Sequence, residues 1–161
     1  LVEMTRNIFP LSHKKEDTYL AGFSMGGYGA IRNGLKYHDT FGYIGAISAA
    51  LLTDDLHNWG EGDDLLSSKS FAQSCFGDLN KVIGSDMDPK FLIDDLIAND
   101  IEIPKIFMAV GDNDFLYNEN IDYYNYLKSR NVDVEFRCSS GEHTWEFCND
   151  YIKEFIEWLP L

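Results

Sequence analysis

A serine, an aspartate and a histidine in this chain each follow an apolar run, and the three residue types together could transfer an acyl group. Ser24 lies in the sequence GFSMG, Asp114 in GDND and His143 in SSGEH. A serine hydroxyl is a weak nucleophile at neutral pH, so it needs a base within hydrogen-bond reach that takes its proton. A histidine can be that base, and a carboxylate can fix the tautomer of the imidazole. The expected chemistry is therefore attack of Ser24 on an ester carbonyl.

The segment 18–31, TYLAGFSMGGYGAI, has the pattern of a strand that turns sharply into a helix. Its G-x-S-x-G form predicts a nucleophile elbow, which exposes the serine hydroxyl at the start of the helix. We expect a side chain at Gly22 or Gly26 to collide with the neighbouring strand or helix. Gly27 and Gly29 are expected to let the helix pack closely on the sheet. A glycine-rich turn with a solvated serine is the alternative interpretation of this segment alone.

An acyl-transferring serine also needs donors for the negative charge that develops on the carbonyl oxygen. The backbone N–H of Met25, the residue after the nucleophile, is the predicted first donor of this oxyanion hole. A second donor normally comes from a loop that follows an earlier strand.

Apolar patterns predict alternating strands and helices along the chain. The predicted strands lie at 18–23, 41–50, 101–110 and 133–138. The predicted helices lie at 1–9, from 25 onward, through 71–75, from 89 onward, at 119–130 and at 145–159. Such alternation is typical of a parallel sheet with helices on its faces, where functional groups gather at the carboxyl ends of the strands. The order serine, aspartate, histidine along the chain is that of the α/β-hydrolases.

The spacing of apolar residues predicts which helix faces are buried. In the helix at 119–130, the residues spaced to face the sheet are Ile121, Tyr124 and Leu127. In the last helix, the predicted buried face consists of Tyr151, Ile152, Phe155, Ile156 and Leu159.

Residues 51–104 form the irregular part of the chain and are predicted to be a lid-like insertion over the site. Asp88 can cap a helix there, with Pro89 at its first position. An acidic cluster in this part invites a metal interpretation: Asp54, Asp55, His57, Asp63 and Asp64. Its spacing matches no established metal-binding loop, so we predict a solvated acidic loop and no metal site.

Composition predicts one globular domain, since 45% of the residues are hydrophobic and 14% aromatic. The formal net charge of −14 argues against nucleic acid and anionic membranes as partners. No apolar run approaches the length of a membrane span. The three cysteines, Cys75, Cys138 and Cys148, favour free thiols in a reducing compartment, with one bridge and one free thiol as the alternative. Localisation stays open, with the cytoplasm slightly favoured, and no cofactor is predicted.

The segments GFSMGGYGA, GDNDFLY and SSGEHTWEF resemble the catalytic segments of the tributyrin-esterase-like group in the esterase D family of α/β-hydrolases. This family, which is similar to carbohydrate esterase family 1, also contains S-formylglutathione hydrolases, feruloyl and acetylxylan esterases, and mycolyltransferases. The resemblance covers most of the chain and implies a three-layer α/β-hydrolase fold with a mostly parallel sheet. It implies that Ser24 is the nucleophile, that Asp114 orients the histidine with Asp112 as its neighbour, and that His143 is the base.

Members of that family are longer than this chain, and their front part supplies the first strands of the sheet and the first oxyanion-hole loop. We therefore expect residues 1–161 to be the C-terminal portion of a single α/β-hydrolase domain that lacks its N-terminal strands. This portion alone is expected to be weakly active or inactive. The exposed edge of its sheet favours association with the missing N-terminal part or with a second copy of the chain.

The leading functional hypothesis is a serine carboxylesterase that hydrolyses short-chain acyl esters through an acyl-serine intermediate. One alternative is a carbohydrate esterase that removes acetyl or feruloyl groups, with aromatic residues such as Trp59 and Tyr117 stacked on sugar rings. A non-catalytic α/β-hydrolase-like binding module is the alternative from another class. Trp145 and Tyr117 are the candidate substrate-binding residues, although helix packing is the stronger interpretation of Trp145.

Overall fold

A computed structural model of the protein describes residues 1–60 and 68–161, and its centre is one parallel sheet. The four strands lie side by side in chain order: β1 (Tyr19–Phe23), β2 (Tyr43–Ile47), β3 (Lys105–Gly111) and β4 (Val134–Ser139). Every neighbouring pair is parallel, so the carboxyl ends of all four strands meet at one edge. Each strand overlaps a predicted strand along the chain. β3 begins only after Pro104, which has no N–H to donate to the ladder.

Helices follow the strands as the alternation predicts. The α-helices are α1 (Val2–Ile8), α2 (Met25–Lys36), α3 (Lys69–Phe76), α4 (Pro89–Ala98), α5 (Tyr117–Ser129) and α6 (Trp145–Trp158). Short 3₁₀ helices lie at Lys15–Asp17, Thr53–Asn58 and Leu79–Lys81. Asp88 caps α4 as predicted, because its carboxylate accepts a hydrogen bond from the backbone N–H of Lys90.

Two apolar layers enclose the sheet. The larger layer lies between the sheet and α2, α4 and α5, and its fully buried side chains include Ile31, Leu35, Ile93 and Leu127. The smaller layer lies under α6, where Phe155 packs against Phe107 of β3. Helices on both faces of a parallel sheet give the three-layer arrangement that the sequence predicts.

The packing of α2 confirms the prediction for one glycine and corrects it for another. A Cβ on Gly27 would lie 2.9 Å from the backbone of Ala49, so this glycine does allow close packing. Gly34, which the prediction did not include, has the same role against Ile44. Gly29 does not, because a Cβ there would meet only the side-chain nitrogen of Asn33 at 4.0 Å. Gly29 faces a pocket instead of the sheet.

The buried faces of α5 and α6 agree with the predicted ones at Leu127, Tyr151 and Phe155 and differ at other positions. In α5 the buried residues are Asn120, Tyr123 and Leu127, whereas Ile121 and Tyr124 are half-buried. Asn120 and Tyr123 are buried in place of the predicted Ile121 and Tyr124, each one residue earlier in the chain. In α6 the buried residues are Phe147, Tyr151 and Phe155. Ile156 was predicted to be buried, but it is 49% exposed.

The front of the structure carries much exposed apolar surface. β1 is an edge strand, and α1 before it contains no buried residue. Large apolar side chains there are at least half exposed: Leu1, Met4, Ile8, Phe9 and Leu11. Association of this edge with further chain or with a second copy stays a prediction.

The described part of residues 51–104 contains two 3₁₀ helices, α3 and α4, and the proposed lid role of this segment stays a prediction. Asp63, Asp64 and the side chain of His57 lie outside the described part of the acidic cluster, and Asp54 forms an ion pair with Lys90. Among the described side chains, which are those of residues 1–56, 58–60 and 68–161, no three of His, Cys, Asp or Glu come together in a way that could hold a metal ion. In the same residues no helix is both long and apolar enough to cross a lipid bilayer.

The cysteines are free thiols. Cys75 and Cys138 are exposed, and Cys148 is half-buried. Burial raises the pKa of the Cys148 thiol. The alternative of one bridge among the three is therefore wrong for this structure.

Candidate active site

Ser24 stands at the turn between β1 and α2 in a strained backbone conformation. Its φ is 59° and its ψ is −121°, a region that residues with a side chain rarely adopt. Hydrogen bonds hold the turn in place: the Ser24 N–H donates to the carbonyl of Ile47, and the N–H of Ala50 donates to the Ser24 carbonyl. The last residue of β2 and the loop after it therefore bond to both the N–H and the carbonyl of Ser24 and hold its strained conformation in place.

The Ser24 hydroxyl points away from its own helix. A serine at the first position before a helix often caps it, yet here the side chain makes no capping hydrogen bond. Its Oγ lies instead 3.0 Å from Nε2 of His143. The hydroxyl is thus within proton-transfer distance of the imidazole.

Asp114 holds the other side of the imidazole. Its carboxylate oxygens lie 3.1 and 3.0 Å from Nδ1 of His143. The Asp114 side chain is fully buried, and the backbone N–H of Leu116 donates to it over 2.8 Å. A carboxylate in this place favours the tautomer with the proton on Nδ1, which leaves the lone pair of Nε2 facing Ser24.

The loop after β4 carries His143 back across the sheet. Gly111 at the end of β3 and Gly141 in this loop pack so closely that a Cβ on Gly111 would lie 2.3 Å from the Gly141 carbonyl oxygen. The carboxylate of Asp112 accepts a hydrogen bond from the Gly141 N–H, and the Asn113 N–H donates to the Gly141 carbonyl. The end of β3 therefore fixes the path of the histidine loop.

Two aromatic rings enclose the imidazole of His143. The Phe23 ring stacks on it at 4.5 Å between centroids with an angle of 27° between the planes. The Phe115 ring lies at the same distance with an angle of 46°, although Phe115 is 73% exposed. These contacts restrict rotation of the imidazole out of line with Ser24 and Asp114.

The glycines of the elbow differ from each other. A Cβ on Gly22 would lie 2.1 Å from the carbonyl oxygen of Gly26, so only glycine fits at 22, as predicted. The same prediction for Gly26 is wrong, because a Cβ there would meet nothing within 4 Å. The reason is that a Cβ on Gly26 would point into open space, whereas the Gly26 carbonyl faces Gly22 of β1.

Met25 is the first residue of α2, so its N–H has no partner inside the helix. It lies next to Ser24 at the positive end of the helix dipole, where a developing negative charge is stabilised. Met25 is 55% exposed.

A cavity of about 610 Å³ begins at Ser24 and runs between α2 and α3. Its walls are mostly apolar and include Tyr28, Trp59, Phe71 and Phe115. Burial raises the pKa of Tyr28 to about 12, so its hydroxyl is neutral and donates to the Met87 carbonyl over 2.7 Å. The volume lies in the usual range of small-molecule sites.

A second, more open depression lies on the other side of Ser24. It is lined by Phe23, His143, Thr144 and Trp145. Trp145 is 74% exposed, and its ring lies 5.2 Å from that of Phe23. Trp145 therefore packs little against the other helices in this structure, and its contact with substrate stays a prediction. Tyr117 is half-buried at the start of α5 and lines neither cavity beside Ser24, so its substrate contact stays a prediction.

Sequence reasoning missed the supporting contacts of three residues, of which only Asp112 was named, as the neighbour of Asp114. Phe115 and Asp112 lie in the same segment as Asp114, but no spacing rule says that one would contact His143 and the other the histidine loop. Asn120 is fully buried and bonds to the backbone of the loop after β2. No sequence signal identifies it, because its burial and its partners become visible only in the structure.

A strained serine, a histidine and a buried carboxylate meet at the carboxyl edge of a parallel sheet that is enclosed by helices, and this defines the α/β-hydrolase fold. The chain belongs to the Esterase family, whose model matches residues 1–159. The resemblance inferred from the sequence is thereby confirmed.

Proteins similar to this chain include esterases and other hydrolases. The chain is 42% identical over 160 residues to an acetyl esterase of Caldicellulosiruptor saccharolyticus, covering 99% of this chain and 60% of that protein. It is similar to the crystal structure of an S-formylglutathione hydrolase from Staphylococcus aureus, with a TM-score of 0.83, 35% identity, and 98% of this chain and 60% of that chain covered. A substrate-bound fluorophosphonate-binding serine hydrolase of Staphylococcus aureus has a TM-score of 0.84, with the same identity and coverage. The chain thus spans about 60% of the length of these relatives.

Proposed function

We propose that the protein is a serine carboxylesterase that hydrolyses short-chain acyl esters through an acyl-Ser24 intermediate. The observation that carries this proposal is the line of hydrogen-bonding groups from Ser24 Oγ through both ring nitrogens of His143 to Asp114. Membership of the Esterase family and the similarity to an acetyl esterase support the reaction type and the short acyl chain.

In the first half of the reaction, Ser24 Oγ attacks the ester carbonyl carbon while His143 Nε2 takes the hydroxyl proton. The carbonyl oxygen becomes an oxyanion, to which the Met25 N–H is proposed to donate. When the tetrahedral intermediate collapses, the bond to the alcohol breaks and His143 returns the proton to the leaving oxygen. In the second half, water attacks the acyl carbon while His143 Nε2 takes a proton from it. The bond to Ser24 Oγ then breaks, His143 returns the proton to Ser24, and the acid is released.

The two cavities beside Ser24 favour one orientation of the ester. The leaving alcohol must lie within reach of His143 Nε2, and His143 lines the open depression that contains Trp145. We therefore assign the alcohol to that depression, with Trp145 as a contact. The acyl group is assigned to the apolar cavity between α2 and α3, which begins at Ser24 and does not include His143 among its walls.

A fluorophosphonate probe tests the proposal on the full-length protein. The probe reacts with activated serines, so peptide mapping by mass spectrometry is expected to find the adduct on Ser24 of the wild type and none on Ser24→Ala. Ser74→Ala is the matched control, because Ser74 is an exposed serine on α3 and its loss leaves the labelling unchanged. An adduct only at other residues, or no adduct, contradicts the acyl-serine mechanism.

The second candidate is a carbohydrate esterase that acts on acetyl or feruloyl groups. The observation that favours it is the exposed Trp145 ring in the depression assigned to the alcohol, since an exposed indole can stack on a sugar ring. The ratio of kcat/KM for acetylated xylo-oligosaccharide to that for p-nitrophenyl acetate separates the candidates. A high ratio that falls about tenfold in Trp145→Ala favours the carbohydrate substrate, and an unchanged low ratio favours the simple ester.

A further inference from the structure

The side chain of Asn120, which lies in an apolar face of α5, forms hydrogen bonds to two separate backbone segments. Its side chain is fully buried on α5. Oδ1 accepts from the Ala49 N–H over 3.1 Å, and Nδ2 donates to the Ala49 carbonyl over 2.9 Å and to the Leu116 carbonyl over 2.7 Å. Both protons of the amide and its oxygen are therefore used, and the identities of the partners fix which end of the amide is the oxygen.

On one side, Asn120 bonds to the segment that supports the nucleophile. Ala49 belongs to the loop after β2, where Ser48 has a positive φ of 44°. The next residue, Ala50, donates its N–H to the Ser24 carbonyl over 2.9 Å. The α-carbon of Ala49 also packs against Gly27 in the first turn after Ser24. A displacement of Ala49 is thus passed directly to the elbow.

On the other side, Asn120 bonds to the turn that carries the carboxylate. Leu116 donates its N–H to Oδ1 of Asp114 over 2.8 Å, while its carbonyl accepts from Asn120. The same carbonyl accepts from the Asn120 backbone N–H over 3.2 Å. The peptide of Leu116 is therefore held between the Asp114 carboxylate and the Asn120 amide.

We propose that Asn120 is a positioning residue that sets the distance between the Ser24 elbow and the Asp114 turn, an inference that rests on the proposed serine mechanism. His143 must bridge these two groups with 3.0 Å contacts at both ring nitrogens. The side chain of Asn120 bonds to the backbone on both sides of this gap. Only an amide of this length offers a donor and an acceptor to Ala49 together with a second donor to Leu116. Asn120 touches no reacting atom, so its effect is on geometry.

Two substitutions in the full-length protein test this role. Asn120→Asp keeps the volume and the acceptor for Ala49 but removes both donors, and Asn120→Ala removes all three bonds. A misplacement of about 1 Å between catalytic groups can cost about 100-fold in rate. We expect kcat to fall about 10- to 100-fold in both variants while KM stays within about threefold, with a matching fall in the rate of fluorophosphonate labelling of Ser24. Circular dichroism and urea titration give the folded fraction, to which kcat is normalised.

Tyr123→Phe is the matched control. Tyr123 lies one turn further on the same buried face of α5, and its hydroxyl donates to the Pro89 carbonyl, away from the site. Its loss is expected to lower stability without changing kcat by more than about twofold. An inactive wild type defeats the serine mechanism itself. If the wild type is active, the positioning role is overturned when the folded variants keep kcat within twofold, or when neither variant folds, since Asn120 would then serve folding alone.

Discussion

The Oγ of Ser24 lies 3.0 Å from Nε2 of His143, although the two residues are 119 positions apart in the chain. They follow β1 and β4, the two edges of the four-stranded sheet. Three strand spacings of about 4.8 Å separate these edges by about 14 Å, so the loop after β4 must travel back over the strand ends to reach the serine. The contacts of Gly141 with Gly111, Asp112 and Asn113 hold that loop on its path.

Asp114→Asn is expected to lower kcat by about 10³- to 10⁴-fold with little change in KM. The amide can donate to Nδ1 of His143, which favours the tautomer with the proton on Nε2. Nε2 then has no lone pair for the Ser24 proton. Steady-state kinetics of the full-length protein with p-nitrophenyl acetate measure the effect.

Asp112→Asn is the control for that experiment. Asp112 lies two residues away and is exposed, and an asparagine keeps the oxygen that accepts from the Gly141 N–H. We expect its kcat to stay within about threefold of the wild type. Equal losses in the two variants contradict the assignment of Asp114 as the residue that orients the histidine.

Gly22→Ala and Gly26→Ala are expected to behave differently, although both glycines lie two residues from Ser24. The new Cβ at 22 would lie 2.1 Å from a backbone oxygen, so we expect a destabilisation of about 2–3 kcal/mol and a displaced, inactive serine. At 26 the Cβ enters open space, and the free energy of unfolding is expected to change by less than about 0.5 kcal/mol. Urea unfolding and fluorophosphonate labelling measure both, and equal losses in the two variants contradict the geometry of the elbow.

The fold and the meeting of Ser24, Asp114 and His143 were predictable because each residue follows a local signal. Ser24, Asp114 and His143 each follow a strand that apolar pattern identifies, and the carboxyl ends of parallel strands share one edge. The elbow motif predicted a strained backbone at Ser24, and the positive φ of this residue confirms it. Their order along the chain, together with the alternation of strands and helices and the resemblance to a known family, predicted the α/β-hydrolase fold.

The supporting residues were not predictable because their roles depend on contacts between distant segments. Helical spacing predicted that Ile121 is a core residue of α5, yet the adjacent Asn120 is the buried one. An apolar pattern cannot locate a polar residue whose partners are the carbonyls and N–H of a remote loop. The open space at Gly26 likewise depends on the direction that a Cβ would take at this position of the elbow, which the sequence does not show.

Asp86→Asn is expected to destabilise the full-length protein at neutral pH and to have little effect in acid. The hydrogen bond from Lys36, with help from the Arg32 guanidinium, lowers the pKa of Asp86 below its ordinary value of 3.8. A carboxyl with a lowered folded-state pKa stabilises the protein above its ordinary pKa, and this contribution is lost as the pH falls below it.

The expected difference in free energy of unfolding at pH 7 is at most about 1 kcal/mol, because the Asp86 side chain is 42% exposed. It is expected to be the same at pH 5 and to shrink below pH 4. Urea titrations of wild type and variant at the three pH values measure it. A difference that is undiminished at pH 3 contradicts an ion pair between Asp86 and the α2 cations.

Gly29→Leu is expected to shorten the acyl chains that the full-length protein accepts, because Gly29 lies on the wall of the cavity assigned to the acyl group. A Cβ there meets only one atom, at 4.0 Å, so the leucine side chain can extend into the cavity without disturbing the sheet. Each methylene that can no longer be buried costs about 0.8 kcal/mol. We expect kcat/KM for p-nitrophenyl hexanoate to fall at least about tenfold, while that for the acetate stays within about threefold. Gly29→Ala is the control for the helix itself, since alanine stabilises a helix interior by about 1 kcal/mol relative to glycine and adds only one carbon to the wall. A uniform loss on both esters, or an unchanged preference in Gly29→Leu, would place the acyl group outside the cavity between α2 and α3.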